Sequence, residues 1–375
     1  MRARASLRRE PVSGTTCFIE SIDSLLERSR AQRGEAVGFA YAYYALLYES
    51  DLGRLSQCSW ETQFSIGCLG HLKIDFQKRV EMSMTAKSRK KILVTGGNSG
   101  IGFALCRQLV LEHGCHVFLG SRSRQRGEEA VASIRALIPA QHSGSVELTE
   151  VDVGEDASVL SAANAVREAL GTDGQLYGLV NNAGIGLAAS VAAEEVLNTN
   201  LYGVKRMCDA FVTEGLVSDR VVNVGSGSGP GYVHRCPQPT QRALCKTPAD
   251  WKAIEAMIAI SADGMTGLHS EADVNGAYGL SKAMLALYTM LFAEEMPNIL
   301  SSCVSPGWIA TKLVAGSGAT KKPEEGTLSI RHCLFESLSG NGWYYGSDCV
   351  RSPLHFMRNP GEPAYDGVVD DVIGL

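Results

Sequence analysis

The stretch VTGGNSGIG, residues 94–102, decides the fold. It follows the apolar run KILV (91–94) and leads into IGFALCRQLVLEHG (101–114), where Ile101, Leu105, Leu109 and Val110 fall at helical spacing and Gly114 supplies a stop. Strand, glycine turn, helix is the order read here. Gly96, Gly100 and Gly102 are spaced G-x-x-x-G-x-G. Glycine at these points permits a tight turn and lets a phosphate approach the backbone at a helix N-terminus, where a side chain would stand in the way. Gly97 and Gly102 are followed by Phe103-Ala104 rather than Lys-Ser/Thr, which excludes a Walker A loop.

The alternation continues outward. CHVFLGS (115–121), VELTEVDV (146–153), LYGLVNNAG (176–184), RVVNVGS (220–226), ILSSCVSP (299–306) and GWYYGS (342–347) read as strands. Between them lie helical segments, including RGEEAVASIRALI (126–138), DASVLSAANAVREAL (156–170), EEVLNTNLYGVKRMCDAFV (194–212), YGLSKAMLALYTMLFAEEM (278–296) and KPEEGTLSIRHCLFESL (322–338). Near-continuously apolar strands joined by helices predict an α/β fold, a doubly wound parallel sheet of Rossmann type covered on both faces.

The end of the second strand selects between dinucleotides. An acid about 20 residues past the glycines would bind a ribose 2′-hydroxyl. Here Ser121 and Arg122 occupy that place and the first acid is Glu128. A guanidinium suits a 2′-phosphate, so NADP(H) is expected over NAD.

Composition bounds the rest. The 375 residues are 45% hydrophobic with a net charge of −5, enough for a full core and without a basic bias toward nucleic acid. No apolar run reaches the ~18 residues of a membrane span. Eleven scattered cysteines without C-x-x-C read as buried thiols of a reduced, intracellular chain. The eight histidines form no ligand pattern, so no metal site is expected. Residues 1–88 carry no glycine-rich or catalytic signature. Their Arg-rich start suggests a targeting extension, but Glu10, Glu20, Asp23, Glu27 and Glu35 are too acidic for one. A small accessory helix pair is a second reading. The favoured reading starts the working protein at Met82 or Met84, with poor order before about residue 85 and a single catalytic domain over 89–375.

Tyr278 and Lys282 share a helical face, four residues apart. Together with TGGNSGIG, NNAG (181–184), NTNLYG (198–203), RVVNVGS, YGLSK (278–282) and SPGWIAT (305–311), in that order, the chain resembles the short-chain dehydrogenase/reductase family over about residues 89–350. The chemistry of such a set is legible. Carbonyl reduction needs a hydride at carbon and a proton at oxygen; a phenol can deliver the proton, and a nearby cation lowers its pKa. The resemblance implies Tyr278 as general acid, Lys282 lowering its pKa and holding the nicotinamide ribose, and Ser226 holding the substrate carbonyl. It also implies Asn200 as anchor of a water relay to Lys282. The cofactor contacts so implied are Gly96, Asn98, Ser99, Gly100, Ile101, Gly102, Arg122, Asp152, Val153, Asn182, Ala183, Gly184, Tyr278, Lys282, Pro306, Gly307, Ile309 and Thr311. Ser228 is the fallback for Ser226.

Ser226 and Tyr278 stand 52 positions apart, more than in many relatives of this type. The insertion, about 229–273, contains TPADWKAIEAMIAIS (247–261), read as a helix capped by Thr247 with Pro248 in its first turn. Such an insertion resembles the monomeric carbonyl reductase branch and implies a monomer. Trp308, Tyr232 and Trp251 are candidate substrate-wall aromatics. The expected activity is NADPH-dependent reduction of a ketone, aldehyde or quinone in the cytoplasm, or in an organelle if the extension targets one. Oxidation of a secondary alcohol and a catalytically silent NADP-binding regulator are the alternatives.

Overall fold

The computed structural model describes residues 89–172, 174–186, 191–264, 274–311 and 318–367. The expectations for residues 1–88, and for the end of the insertion at 265–273, lie outside the described residues. Seven parallel strands are built in the order β3-β2-β1-β4-β5-β6-β7. They are β1 (Lys91–Val94), β2 (His116–Ser121), β3 (Ser145–Glu150), β4 (Leu176–Asn181), β5 (Val217–Val224), β6 (Leu300–Val304) and β7 (Trp343–Tyr345). Sequence order reverses direction between β1 and β4, which leaves a crevice at their carboxyl ends.

Why these strands are apolar throughout is visible in the packing. Successive side chains point to opposite faces of a strand, and here both faces are covered. Leu93, Leu179 and Val221 enter one core, with α3 (Asp156–Leu170), the helical run α4 (Ala193–Leu197) and α5 (Gly203–Cys208), α6 (Ser228–Arg235), α8 (Trp251–Gly264) and α9 (Val274–Glu295). Their neighbours Ile92, Val94, Val180 and Val222 enter the other, with α1 (Gly100–Leu111), α2 (Arg124–Arg135) and α10 (Leu328–Phe335).

The insertion is more ordered than its sequence suggests. It opens as α6, continues as α7 (Gln238–Ala243), then α8. The expected cap of α8 is corrected: the helix starts at Trp251, and the Asp250 carboxylate accepts the Ala253 N–H at 2.8 Å. Thr247 lies three positions before Asp250, so its hydroxyl precedes the first turn rather than closing it. Trp251 meets Tyr202 and Tyr288 edge-on, both at 5.6 Å between centroids. Trp251 therefore packs α8 against α9 instead of lining a substrate wall, and Tyr232 is fully buried in the same core. Among the described residues no helix is long and apolar enough to cross a membrane.

Candidate active site

The glycine turn lies at the crevice. Gly96 and Gly100 have φ of +65° and +56°, a left-handed backbone that favours glycine. At Gly102 the constraint is space: a Cβ would stand 2.3 Å from the Gly96 carbonyl oxygen and 2.4 Å from Asn182 Nδ2. Ser99, at the N-cap of α1, makes no side-chain cap, and the first turn holds no acid. The N–H groups there face the crevice mouth without a side-chain anion, which suits a pyrophosphate.

Thr95 ties this turn to the next strand, a role the sequence reading missed. Its hydroxyl accepts the N–H groups of Asn182 and Ala183, both at 3.0 Å. Asn182 Nδ2 in turn donates to the Thr95 carbonyl at 2.8 Å. Thr95 and Asn182 thus hold the two sides of the switch point together. Arg122 is exposed at the end of β2 and makes no ion pair among the described residues, whereas nearby Arg124 is engaged with Glu128 and Glu150. Asp152 and Val153 follow β3 beside it, where the Val151 N–H reaches the Ser121 carbonyl at 3.0 Å. The loop after β6 returns over the turn: the Thr311 methyl lies 3.4 Å from where a Cβ on Gly100 would be, and Ile309 and Ile101 both press on Gly326. Asn98, Ser99, Gly184, Pro306 and Gly307 belong to these same three loops. The residues present fit a dinucleotide with a free 2′-phosphate end.

Ser226, Tyr278, Lys282 and Asn200 come together despite their separation in sequence. The Ser226 hydroxyl stands close enough to the Tyr278 phenol to pull its pKa down. Glycines make this possible: a Cβ on Gly229 would meet the Lys282 backbone at 3.0 Å, and one on Gly279 would meet the Ser228 carbonyl at 3.1 Å. α6 and α9 therefore approach closely enough for the long insertion to leave and return without opening the site. Gly186, at φ +130°, leaves room for the Tyr278 ring, which a Cβ would approach to 2.6 Å. Ser226 Oγ also accepts the Ser228 N–H at 3.1 Å, which fixes its rotamer. Ser228, at the start of α6, also accepts from the Ser226 hydroxyl at 3.3 Å.

Asn200 sits in a π-helical turn, Asn198–Tyr202, between α4 and α5. Such turns interrupt a helix to aim a side chain and recur at functional sites. Asn200 Oδ1 accepts from Ile185 N–H and Nδ2 donates to the Ile185 carbonyl, both at 2.9 Å, with a further bond to Ser281 Oγ at 3.1 Å. Its amide is thus used to hold the loop after β4 against α9; it makes no direct bond to Lys282.

One electrostatic expectation is corrected. Burial outweighs the pull of neighbouring groups on Tyr278: it pushes the phenol up to about 12, while the Ser226 hydroxyl pulls in the other direction. The ammonium donates to the Val224 carbonyl at 2.8 Å, with Nζ over the Tyr278 ring at 5.7 Å from its centroid. Tyr278 consequently keeps its proton at neutral pH, as a proton donor must. Burial also draws Lys282 down to about 8, with neighbouring Cys303 opposing.

That shift has a measurable consequence. The folded value lies below the ordinary 10.5, so the fold disfavours the ammonium. The cost is fully present below pH ~8 and is relieved as pH rises toward ~10.5, bounding the effect at about 3 kcal/mol. Lys282→Met is expected to melt no lower than the parent at pH 7, with its relative advantage shrinking toward pH 10. Thermal melts of both proteins at the two pH values check this; an advantage that grows with pH contradicts it.

Comparison with known proteins agrees with this geometry. Residues 90–237 match the model of the short chain dehydrogenase family. The chain is 31% identical to carbonyl reductase [NADPH] 1 of Rattus norvegicus over 258 residues, 64% of this chain and 89% of the relative. It is 30% identical to (+)-neomenthol dehydrogenase of Arabidopsis thaliana over 287 residues, 67% of this chain and 93% of the relative. Among solved structures, salutaridine reductase from Papaver somniferum superposes with a TM-score of 0.56 at 27% identity, covering 68% of this chain and 99% of that one. Since the matched span includes the glycine turn and Ser226, and the aligned relatives are covered nearly end to end, the chain belongs to the short-chain dehydrogenase family and is an oxidoreductase of carbonyl-reductase-like type.

Proposed function

We propose that the protein reduces the carbonyl of a ketone, aldehyde or quinone with NADPH, using Tyr278 as general acid. The observation that carries this reading is the Ser226 hydroxyl beside the Tyr278 phenol at the carboxyl ends of the strands, with Lys282 one helical turn from the phenol. When bound, the reduced nicotinamide supplies the hydride. Ser226 donates to the carbonyl oxygen and stabilises the charge that develops there. Tyr278 passes its proton to the same oxygen, completing the alcohol and leaving a phenolate to be reprotonated. Lys282, a cation one turn away, favours that phenolate while it exists. The similarity to a neomenthol dehydrogenase supports a second direction, oxidation of a secondary alcohol with Tyr278 as base.

NADPH is favoured over NADH by exposed Arg122 at the end of β2 and by the relatives named carbonyl reductase [NADPH]. The reading includes a cytoplasmic monomer. Support for the monomer is α8, which covers the apolar side of α9 from within the chain. The test follows NADPH consumption with a panel of ketones, aldehydes and quinones, for the parent and Arg122→Ala. Turnover with NADPH is expected, and Arg122→Ala should weaken NADPH about 10–100-fold while leaving NADH nearly unchanged, the range of a lost charge-assisted contact. Equal loss for both cofactors refutes the assignment of Arg122. Binding of NADPH without turnover of any carbonyl in the panel favours a regulator.

A further inference from the structure

We propose that Gln108 and Thr327 are positioning residues of the cofactor site: one buried hydrogen bond between them holds the loop after β6 against α1 and so sets the grip on the nicotinamide half of NADPH. The proposal rests on the reading that puts residues 306–311 at the nicotinamide end, and adds the residues that keep them there.

α1 opens from the glycine turn. Of the residues it buries, Gln108 alone carries an amide, among Leu105, Cys106, Leu109 and Val110. A buried polar group on an apolar helix face calls for a partner. That partner is Thr327, at the end of a short 3₁₀ turn, Glu325–Thr327, that leads into α10. The Thr327 hydroxyl shares its proton between Gln108 Oε1 at 2.6 Å and the Glu324 carbonyl at 2.7 Å, and accepts from Arg331 Nε at 3.2 Å. Two ion pairs flank this bond, Arg107 with Glu324 at 2.7 Å and Arg331 with Glu112 at 3.0 Å. Both are partly exposed, where an ion pair contributes little. Gln108 and Thr327 are buried, so the bond between them is the stronger tie.

The segment that Thr327 closes is the frame of the loop. The Ala310 N–H donates to the Lys321 carbonyl at 2.8 Å, and Ile309 forms a parallel bridge with Lys321. The Lys322 N–H donates to the Glu325 carboxylate at 2.7 Å. At the other end of the loop, the Ser329 hydroxyl donates to the Ser305 carbonyl at 3.1 Å. Gly326 lies between the loop and α1: a Cβ there would stand 2.9 Å from Ile309 and 3.2 Å from Ile101. Both ends of 305–310 are thus fastened to 321–329, and that segment is fastened to α1 at Gln108. Ile309 is 4% exposed and neighbouring Trp308 54%, so the loop is held through Ile309 and not through the indole. A ligand gripped by 306–311 depends on these contacts. One that reaches only the adenosine end does not.

The experiment compares NADPH with adenosine 2′,5′-bisphosphate, which lacks the nicotinamide half, by fluorescence and calorimetric titration. Gln108→Met keeps the side-chain length and leaves the Thr327 hydroxyl its Glu324 and Arg331 partners, so that hydroxyl is not stranded. Gln108→Met and Thr327→Val are each expected to weaken NADPH about tenfold, the range of a lost buried hydrogen bond, and to leave the bisphosphate within about twofold. Thr327→Ser should keep both affinities near those of the parent. Equal loss on both ligands marks a bond that only supports the fold and overturns the proposal, as does loss on neither. If one of the two variants fails to fold, the other decides. The underlying reading is tested in the parent alone: if it binds NADPH no more tightly than the bisphosphate, residues 306–311 do not grip the nicotinamide half, and the proposal falls with that assignment.

Discussion

Tyr278→Phe is expected to lose about a thousandfold in turnover, within the range general acid catalysis contributes, while binding NADPH within about twofold of the parent. The phenol is buried at 6% exposure beside the Ser226 hydroxyl. Phenylalanine keeps the ring against Gly186 and the packing of α9, so the fold has no reason to change. What goes is the phenol proton, the one that the proposed mechanism passes to the carbonyl oxygen. Ser226 retains its bond from the Ser228 N–H and still polarises the carbonyl, but a serine hydroxyl is too weak an acid to replace the phenol. The decisive measurements are single-turnover reduction and a fluorescence titration of NADPH. A variant that keeps more than a tenth of parental turnover removes Tyr278 from the mechanism.

Gly102→Ala is expected to abolish cofactor binding, with a loss of at least about 100-fold in NADPH affinity. The added Cβ would stand 2.3 Å from the Gly96 carbonyl oxygen and 2.4 Å from Asn182 Nδ2. Backbone cannot yield as a flexible side chain can, and overpacking of this kind costs about 1–3 kcal/mol or more. The strain falls on both halves of the switch point at once, because Asn182 holds the Thr95 carbonyl. The phosphate cradle should open before the sheet does, since β1 is buried between two cores. Circular dichroism should show a folded protein, and the titration should show lost affinity. Parental affinity in a folded Gly102→Ala would mean that the pyrophosphate binds elsewhere.

Much of the site was legible because its chemistry constrains residue types at short range. Close backbone approach leaves glycines, as at Gly96, Gly100 and Gly102, and a proton donor beside a cation on one helix leaves Tyr278 and Lys282 four apart. Other features left no such mark. The Thr95 hydroxyl acts on Asn182 and Ala183 across two strands, and nothing local distinguishes it from any threonine at a strand end. The Asp250 cap was hidden by the better-looking Thr247-Pro248 pair, since both satisfy the same local rule and only the start of packing against Tyr202 and Tyr288 chooses between them. The two short helices α6 and α7 begin in Gly- and Pro-containing sequence that reads as irregular.

By itself, the sequence determined the sheet, the order of its units and the glycine turn, and it singled out Ser226, Tyr278 and Lys282 as candidates, because period, turn residues and motif spacing are properties of neighbours along the chain. The tertiary structure alone decided where the charges and polar groups face. It turned the Lys282 ammonium onto the Val224 carbonyl, buried Tyr278 so that it holds its proton, and placed Asn200 against Ile185 and Ser281. Each of these depends on contacts between residues far apart in the chain, whose distances are set by packing and leave no periodic trace in the sequence.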